Sequence, residues 1–256
     1  RRRIGKSTLI AEFARRSKAR FIEIVGEAPR VGMKNRDQLE SVERQLRDKA
    51  GYAGDPIMDW YGAFKALNAA IDNRKTVVLL DEISWMGQHD RGFAGELKTA
   101  WDVWLKKHDH LILVLCGSVS TWISENILNN TGFVGRASMN LTVKELSLRE
   151  CVKFWGAKAR RMAPRDILDV LSVTGGVPRY LEEVNPCLSA GENIRRMCFA
   201  PHSLLRDDFS KIFNTVFGEN AVAKRAILLA LADAPRGLSE IADEIGYGKS
   251  GRLSEH

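Results

Sequence analysis

The sequence predicts an α/β fold built on a parallel sheet and followed by an all-α region, and three observations carry that expectation. TVVLLDE and LILVLCGS are unbroken apolar runs of strand length, the pattern of strands buried on both faces of a parallel sheet. Amphipathic segments of helical period alternate with the strands, which makes βαβ units. From about residue 144 the strands stop, and short helical segments separated by Gly and Pro take over.

Each element has its own signal. LIAEFARR, directly after GKST, places Leu9, Ile10, Phe13 and Ala14 on one helical face. ARFIEIVG is a short alternating strand. Residues 36–50 and 59–73 read as amphipathic helices, the second with Trp60, Phe64, Leu67 and Ile71 inward. After TVVLLDE, residues 92–107 are helical with Leu97, Trp101, Trp104 and Leu105 as core contacts, and HLILVLCGS is a second doubly buried strand. KELSLRECVKFWG, PRDILDVLSVTGG and PRYLEEV supply the helices that follow, and residues 221–256 form a further helical unit. The expected domains are therefore 1–143, 144–220 and 221–256.

Composition narrows the class. Of 256 residues, 45% are hydrophobic and 28% charged, as in ordinary globular proteins, and no apolar run approaches the roughly 20 residues of a membrane span. The four cysteines form no C-x-x-C pair, which points to free thiols in a reducing, cytoplasmic setting. His108 and His110 flank Asp109 in a turn-like stretch that reads as a solvated loop rather than a metal site. A net charge of +7 permits contact with nucleic acid without requiring it.

Two motifs carry chemistry. RRRIGKST holds all of the phosphate-loop pattern G-x-x-x-x-G-K-[ST] except its first glycine. In such a loop consecutive backbone N–H groups wrap the phosphates at a helix N-terminus, Lys6 reaches the β- and γ-phosphates, and the Ser7 hydroxyl ligates Mg²⁺. VVLLDEIS, about 75 residues on, brings a buried strand to the carboxyl edge of the sheet, where open α/β sheets place their ligands. There Asp81 is poised to hold Mg²⁺ and Glu82 to polarise a water for attack on the γ-phosphate.

Three further positions are open to two readings each. Ser118, ending the third strand, can sense the γ-phosphate or cap the helix that follows. Arg136 can stabilise transition-state charge, in cis or from a neighbouring subunit, or be an ordinary surface arginine. The rigid turn TGGVPRYL can bring backbone against an adenine ring or simply join two helices.

Taken in order, RRRIGKST, VVLLDEIS, LCGSVSTW, GR, ELSLREC, GGVPRYLEEV and a C-terminal helix-turn-helix resemble the archaeal and bacterial P-loop ATPases of the STAND type, relatives of AAA+ and origin-recognition ATPases. The resemblance covers essentially the whole chain. It implies an AAA+-like P-loop domain, an all-α lid and a partial winged helix. It also implies that the chain begins inside its own phosphate loop, one glycine and one strand late. It assigns Gly5, Lys6, Ser7 and Thr8 to the phosphate loop, Asp81 and Glu82 to Mg²⁺ and water, Ser118 to the sensor position, Arg136 to a recurrent arginine, and Gly176 and Pro178 to the turn beside the adenine. The expected ligands are ATP and Mg²⁺.

AKRAILLALADAPRGLSEIADEIGYGKSGRLSEH reads helix, turn, helix, turn, helix, with Ala242 allowing close packing and Gly246 the tight turn. Lys249, Ser250 and Arg252 would then lie on a recognition helix suited to double-stranded DNA. The function expected is an ATPase switch coupled to DNA or a protein partner, with nucleotide-dependent oligomerisation open. The alternatives are a DNA-binding regulator that uses nucleotide only for assembly, and a P-loop small-molecule kinase. Against the kinase, Glu82 next to Asp81 favours water activation.

Overall fold

The computed structural model describes residues 3–30, 32–117, 121–208, 221–232 and 234–246, which divide into two compact units. The first comprises 1–145 and 177–179; the second comprises 146–176 and 180–256.

The first unit is built on three parallel strands in the order β1-β2-β3: Arg20–Val25, Thr76–Asp81 and Leu111–Leu115. Its helices are α1 (Lys6–Arg16), α2 (Asn35–Ala50), α3 (Trp60–Ala69), α4 (Ile83–Gly87), α5 (Phe93–Val103) and the short α6 (Thr121–Ile123), which continues as a π turn over Ser124–Leu128. β2 is buried at all six positions, as its apolar run predicts. Leu39, Val42 and Leu46 of α2, Trp60, Phe64 and Leu67 of α3, and Phe93 and Leu97 of α5 form one core with Ile22, Ile24, Val78 and Leu80. Trp60 meets the Phe93 ring edge-on at 4.6 Å, a favoured arrangement of aromatic quadrupoles.

Two burial expectations need correction. β3 is not doubly buried: Ile112 is 37% exposed, because among the described residues β3 pairs only with β2 and its other edge has no strand beside it. α1 buries only Ala14 of its predicted face, and Leu9 and Phe13 are each 44% exposed, because the helix packs over β1 and β2 on a sheet of three strands.

Among the described residues, the outer edge of β1 is met by side chains rather than by a strand. Gln45 accepts from the Val25 N–H at 2.8 Å and donates to the Val25 carbonyl at 2.9 Å. Gln38, seven residues earlier on the same face of α2, does the same for Glu27 at 3.0 and 2.7 Å. Lys49 donates to the Glu23 carbonyl at 2.8 Å. Both backbone groups of Val25 and Glu27 and the carbonyl of Glu23 are thereby satisfied, which blunts the edge as a template for intermolecular pairing.

The second unit is helical: α7 (Leu148–Trp155), a 3₁₀ turn (Gly156–Arg161), α8 (Pro164–Thr174), α9 (Pro178–Leu181, shared with the first unit's 177–179), α10 (Ala190–Ile194), α11 (Ala221–Ala232) and α12 (Leu238–Glu244). Ser147 and Glu150 form a capping box at the start of α7. Ala242 is buried against Ala230 and Ile241, and Gly246 takes a φ of 71°, as the close packing and tight turn require. No helix among the described residues is long and apolar enough to cross a membrane.

The glutamine edge gives a stability prediction. Gln45→Leu leaves both Val25 backbone groups without partners, so urea unfolding should show a loss of about 1–3 kcal/mol. Arg44→Leu, one residue away on the exposed side, should change stability by less than about 0.5 kcal/mol.

Candidate nucleotide site at the carboxyl edge of the sheet

The site is assembled where α1 begins and β2 and β3 end. Gly5 occupies the position before α1 with φ 83° and ψ 24°, left-handed backbone that favours glycine. Its carbonyl accepts from the Leu9 N–H at 2.9 Å, so the turn enters the helix directly. Lys6 and Ser7 then fall in the first turn, where helix N–H groups lack intrahelical partners and the dipole favours anions. Thr8 is exposed.

The Ser7 hydroxyl donates to Asp81 Oδ2 across 74 residues of sequence. Asp81, 9% exposed, also accepts from the Glu82 N–H through Oδ1 at 2.9 Å. A hydroxyl and a carboxylate therefore converge beside the helix N-terminus. That donor set fits Mg²⁺, which is held by one or two protein oxygens and otherwise by phosphate and water. It is not a self-sufficient cage: among the described residues no group of three or more His, Cys, Asp or Glu side chains can hold a metal.

Glu82 leaves the strand in a left-handed conformation, φ 50° and ψ 46°, and starts α4. A positive φ is uncommon for a residue with a side chain and concentrates at functional sites. Gly26, just past β1, makes room for this turn. A Cβ on Gly26 would lie 2.7 Å from the Glu82 carbonyl oxygen and 3.2 Å from the Met86 nitrogen.

Cys116 is the residue that sequence reasoning missed. It follows the Leu80–Leu115 register pair, donates its N–H to the Leu80 carbonyl at 2.9 Å and accepts from Ile83 N–H at 3.0 Å. That places its thiol beside Asp81. Burial, then the Asp81 charge and a hydrogen bond to Asp81, push the thiol up to about 12; Lys6 is close enough to oppose the shift. A cysteine inside an apolar strand carries no sequence signal that separates a structural thiol from one at a site.

The structure thus brings Gly5, Lys6, Ser7, Asp81 and Glu82 together. It does not bring Arg136 to them. Arg136 forms a bidentate pair with Asp102, Nε to Oδ1 at 2.9 Å and Nη2 to Oδ2 at 2.8 Å. Asp102, held down to about 2 by that guanidinium, sits at the end of α5, where the chain returns to begin β3 at the opposite edge of the sheet. Gly176 lies in the second unit against the Leu146 backbone, its carbonyl accepting from Leu146 N–H at 2.8 Å; a Cβ there would fall 1.9 Å from the Leu146 carbonyl oxygen. Pro178 opens α9. Ser118, Lys249, Ser250 and Arg252 lie outside the described residues.

Residues 1–184 match the sequence profile of an ATPase domain predominantly from Archaea. Among solved structures the chain is similar to the Walker-type ATPase of Pyrococcus abyssi, with a TM-score of 0.58 and 17% identity over 99% of this chain and 81% of that one, a likeness of fold alone. It also aligns with a Thermotoga maritima RuvB variant at a TM-score of 0.42 and 14% identity, over 95% of this chain and 80% of that one, a likeness too slight to build on. No curated protein matches the chain significantly.

The raised thiol has a direct consequence for reactivity. At pH 8 Cys116 stays protonated and buried, so a thiol-specific reagent should modify exposed Cys187 in the folded protein and leave Cys116 intact until denaturant is added. Peptide mapping after timed labelling checks this; Cys116 reacting as fast as Cys187 would contradict the placement beside Asp81.

Proposed function

We propose, from the premise that this chain belongs to the family of ATPase domains found predominantly in Archaea, that it is an ATPase switch whose nucleotide state is coupled to DNA or to a protein partner. The observation that carries the site assignment is the Ser7–Asp81 hydrogen bond at the N-terminus of α1.

ATP would lie with its phosphates on the Gly5–Ser7 turn, where helix N–H groups and the Lys6 ammonium offset their charge. Ser7 and Asp81 would hold Mg²⁺, which supplies charge neutralisation across the phosphates when bound. Glu82 would orient the attacking water, and its left-handed backbone fixes where its carboxylate starts. Ser118 is proposed as the sensor, and Gly176 and Pro178 as the turn that follows nucleotide state. Arg136, anchored to Asp102 at the far edge, would act on a neighbouring subunit's nucleotide rather than its own, which makes a nucleotide-dependent oligomer part of the proposal.

The division into a 1–143 ATPase domain, a 144–220 lid and a 221–256 partial winged helix belongs to this reading. α11 and α12 support it as the first two helices of a helix-turn-helix, with Lys249, Ser250 and Arg252 proposed on the third. The regulator and kinase alternatives are less well supported. Ser7 with Asp81, and Glu82 beside them, give a hydrolytic set, whereas a kinase would also need an acceptor pocket.

Three substitutions test the reading. Lys6→Ala should abolish ATP binding, measured by calorimetry with Mg²⁺. Glu82→Gln should bind ATP and lose turnover by about 10²-fold or more. Gly26→Ala should retain binding and lose turnover by at least about tenfold, because its Cβ displaces the Glu82 backbone. Full turnover in Glu82→Gln would remove Glu82 from the mechanism.

A further inference from the structure

Residues 149–165 carry six lysines and arginines against one glutamate, in a chain whose whole excess is +7. Arg149 and Lys153 are exposed on one side of α7, opposite its buried Cys151 and Trp155. Lys158, Arg160 and Arg161 are exposed on the 3₁₀ turn that follows, with Ala159 inward. Exposed cations are ordinary: several elsewhere in this protein come with counter-ions, others such as Lys65, Lys75 and Arg91 have none within ion-pair distance among the described residues, and what marks residues 149–165 is the density of cations. Arg15 and Arg16 pair with Glu12, Arg36 with Glu40, Arg44 with Glu27, Arg47 with Glu43 and Arg74 with Asp72, all at 2.6 to 3.2 Å.

The α7 surface is built otherwise. Among the described residues no carboxylate lies within ion-pair distance of Arg149, Lys153, Lys158 or Arg160. The one acid of the stretch, Glu150, is committed to the capping box, accepting from the Ser147 N–H and hydroxyl at 2.7 Å each. Arg161 points to the Cys187 sulfur at 3.2 Å, and only Arg165 has a carboxylate, Asp169 at 3.5 Å. Phe154, 42% exposed, lies among the cations.

We propose that this surface of the second unit, Arg149, Lys153, Lys158 and Arg160, binds the phosphodiester backbone of nucleic acid. Four clustered cations with a single capping carboxylate beside them suit a polyanion whose binding releases counterions. Exposed Phe154 adds a ring on which an unpaired base can stack, which a duplex does not offer. The surface is separate from the helix-turn-helix reading and does not depend on it.

The test is fluorescence anisotropy with labelled duplex DNA and a single strand of the same length, across a salt series. The wild type should bind at low salt. Arg149→Ala/Lys153→Ala/Arg160→Ala should weaken binding at least about tenfold and flatten the slope of log K against log salt by about 2 to 3. Arg30→Ala/Arg44→Ala/Arg74→Ala, which removes the same charge from paired sites, should leave the slope nearly unchanged. Phe154→Ala should weaken the single strand and spare the duplex. Thermal unfolding and ATP turnover confirm that the variants are folded. Equal losses in the two triple variants, binding abolished instead by Lys249→Ala/Arg252→Ala with the α7 triple variant unaffected, or capture by anionic vesicles with no nucleic-acid binding would each overturn the proposal.

Discussion

The structure depends on the register of one strand. β2 is buried at every position and hydrogen-bonded on both sides, so it cannot slip without burying a further charge or exposing some of its four apolar residues, Val77 to Leu80. That register ends β2 at Asp81, level with Val25 of β1 and one step beyond the Leu80–Leu115 pair. Everything at the carboxyl edge follows from it. Gly26 donates to the Asp81 carbonyl at 2.9 Å, Cys116 falls beside the Asp81 side chain, and the chain must turn at Glu82 because the sheet ends there. The Ser7 hydroxyl then fixes α1 to the same carboxylate, so the phosphate turn and the acidic pair are aligned by a single residue.

Glycine serves this site in two different ways, and the distinction matters physically. Gly5 has open space where a Cβ would go, and its constraint is the backbone φ of 83°. Gly26 has no such φ; its constraint is the Glu82 carbonyl 2.7 Å from where a Cβ would sit. The strain at Glu82 is therefore enclosed from outside: β1 approaches too closely for the turn to relax toward it, and Ile83 is held by the Cys116 carbonyl on the other side. A positively twisted glutamate persists only where its surroundings over-determine it. Here two neighbouring strand ends do so.

Much of this was legible in the sequence because it is written in patterns with a period. TVVLLD reads as a buried parallel strand from its unbroken apolar run, and GKST opening an apolar-periodic helix places Lys6 and Ser7 at a helix N-terminus. The spacing of GKST and DE gave the pairing that the Ser7–Asp81 bond realises. What was not legible depends on partners far away in sequence. Burial of β3 depends on which strands flank it, and an apolar run cannot report the order in a sheet. Gln38 and Gln45 look like surface residues, because polarity says nothing of an unpaired strand edge beside the helix. Arg136 follows a glycine in a suggestive stretch, but its position is set by Asp102, 34 residues earlier, and no motif links them.

The same reasoning applies to charge. A net charge of +7 summed over the chain describes no surface, because a paired arginine and an unpaired one count alike. On α2, arginines 36 and 47 each lie against a glutamate four residues away, a helical pairing worth a few tenths of a kcal/mol and easily screened. On α7 the only glutamate caps the helix start and offsets part of the field of Lys153, leaving residues 149–165 with five more cations than acids. The excess is thus concentrated where the local sequence supplies a single counter-charge, Glu150, for six cations. Whether a charged segment is a solvated face or a binding surface depends on how densely its cations are set against the carboxylates beside them.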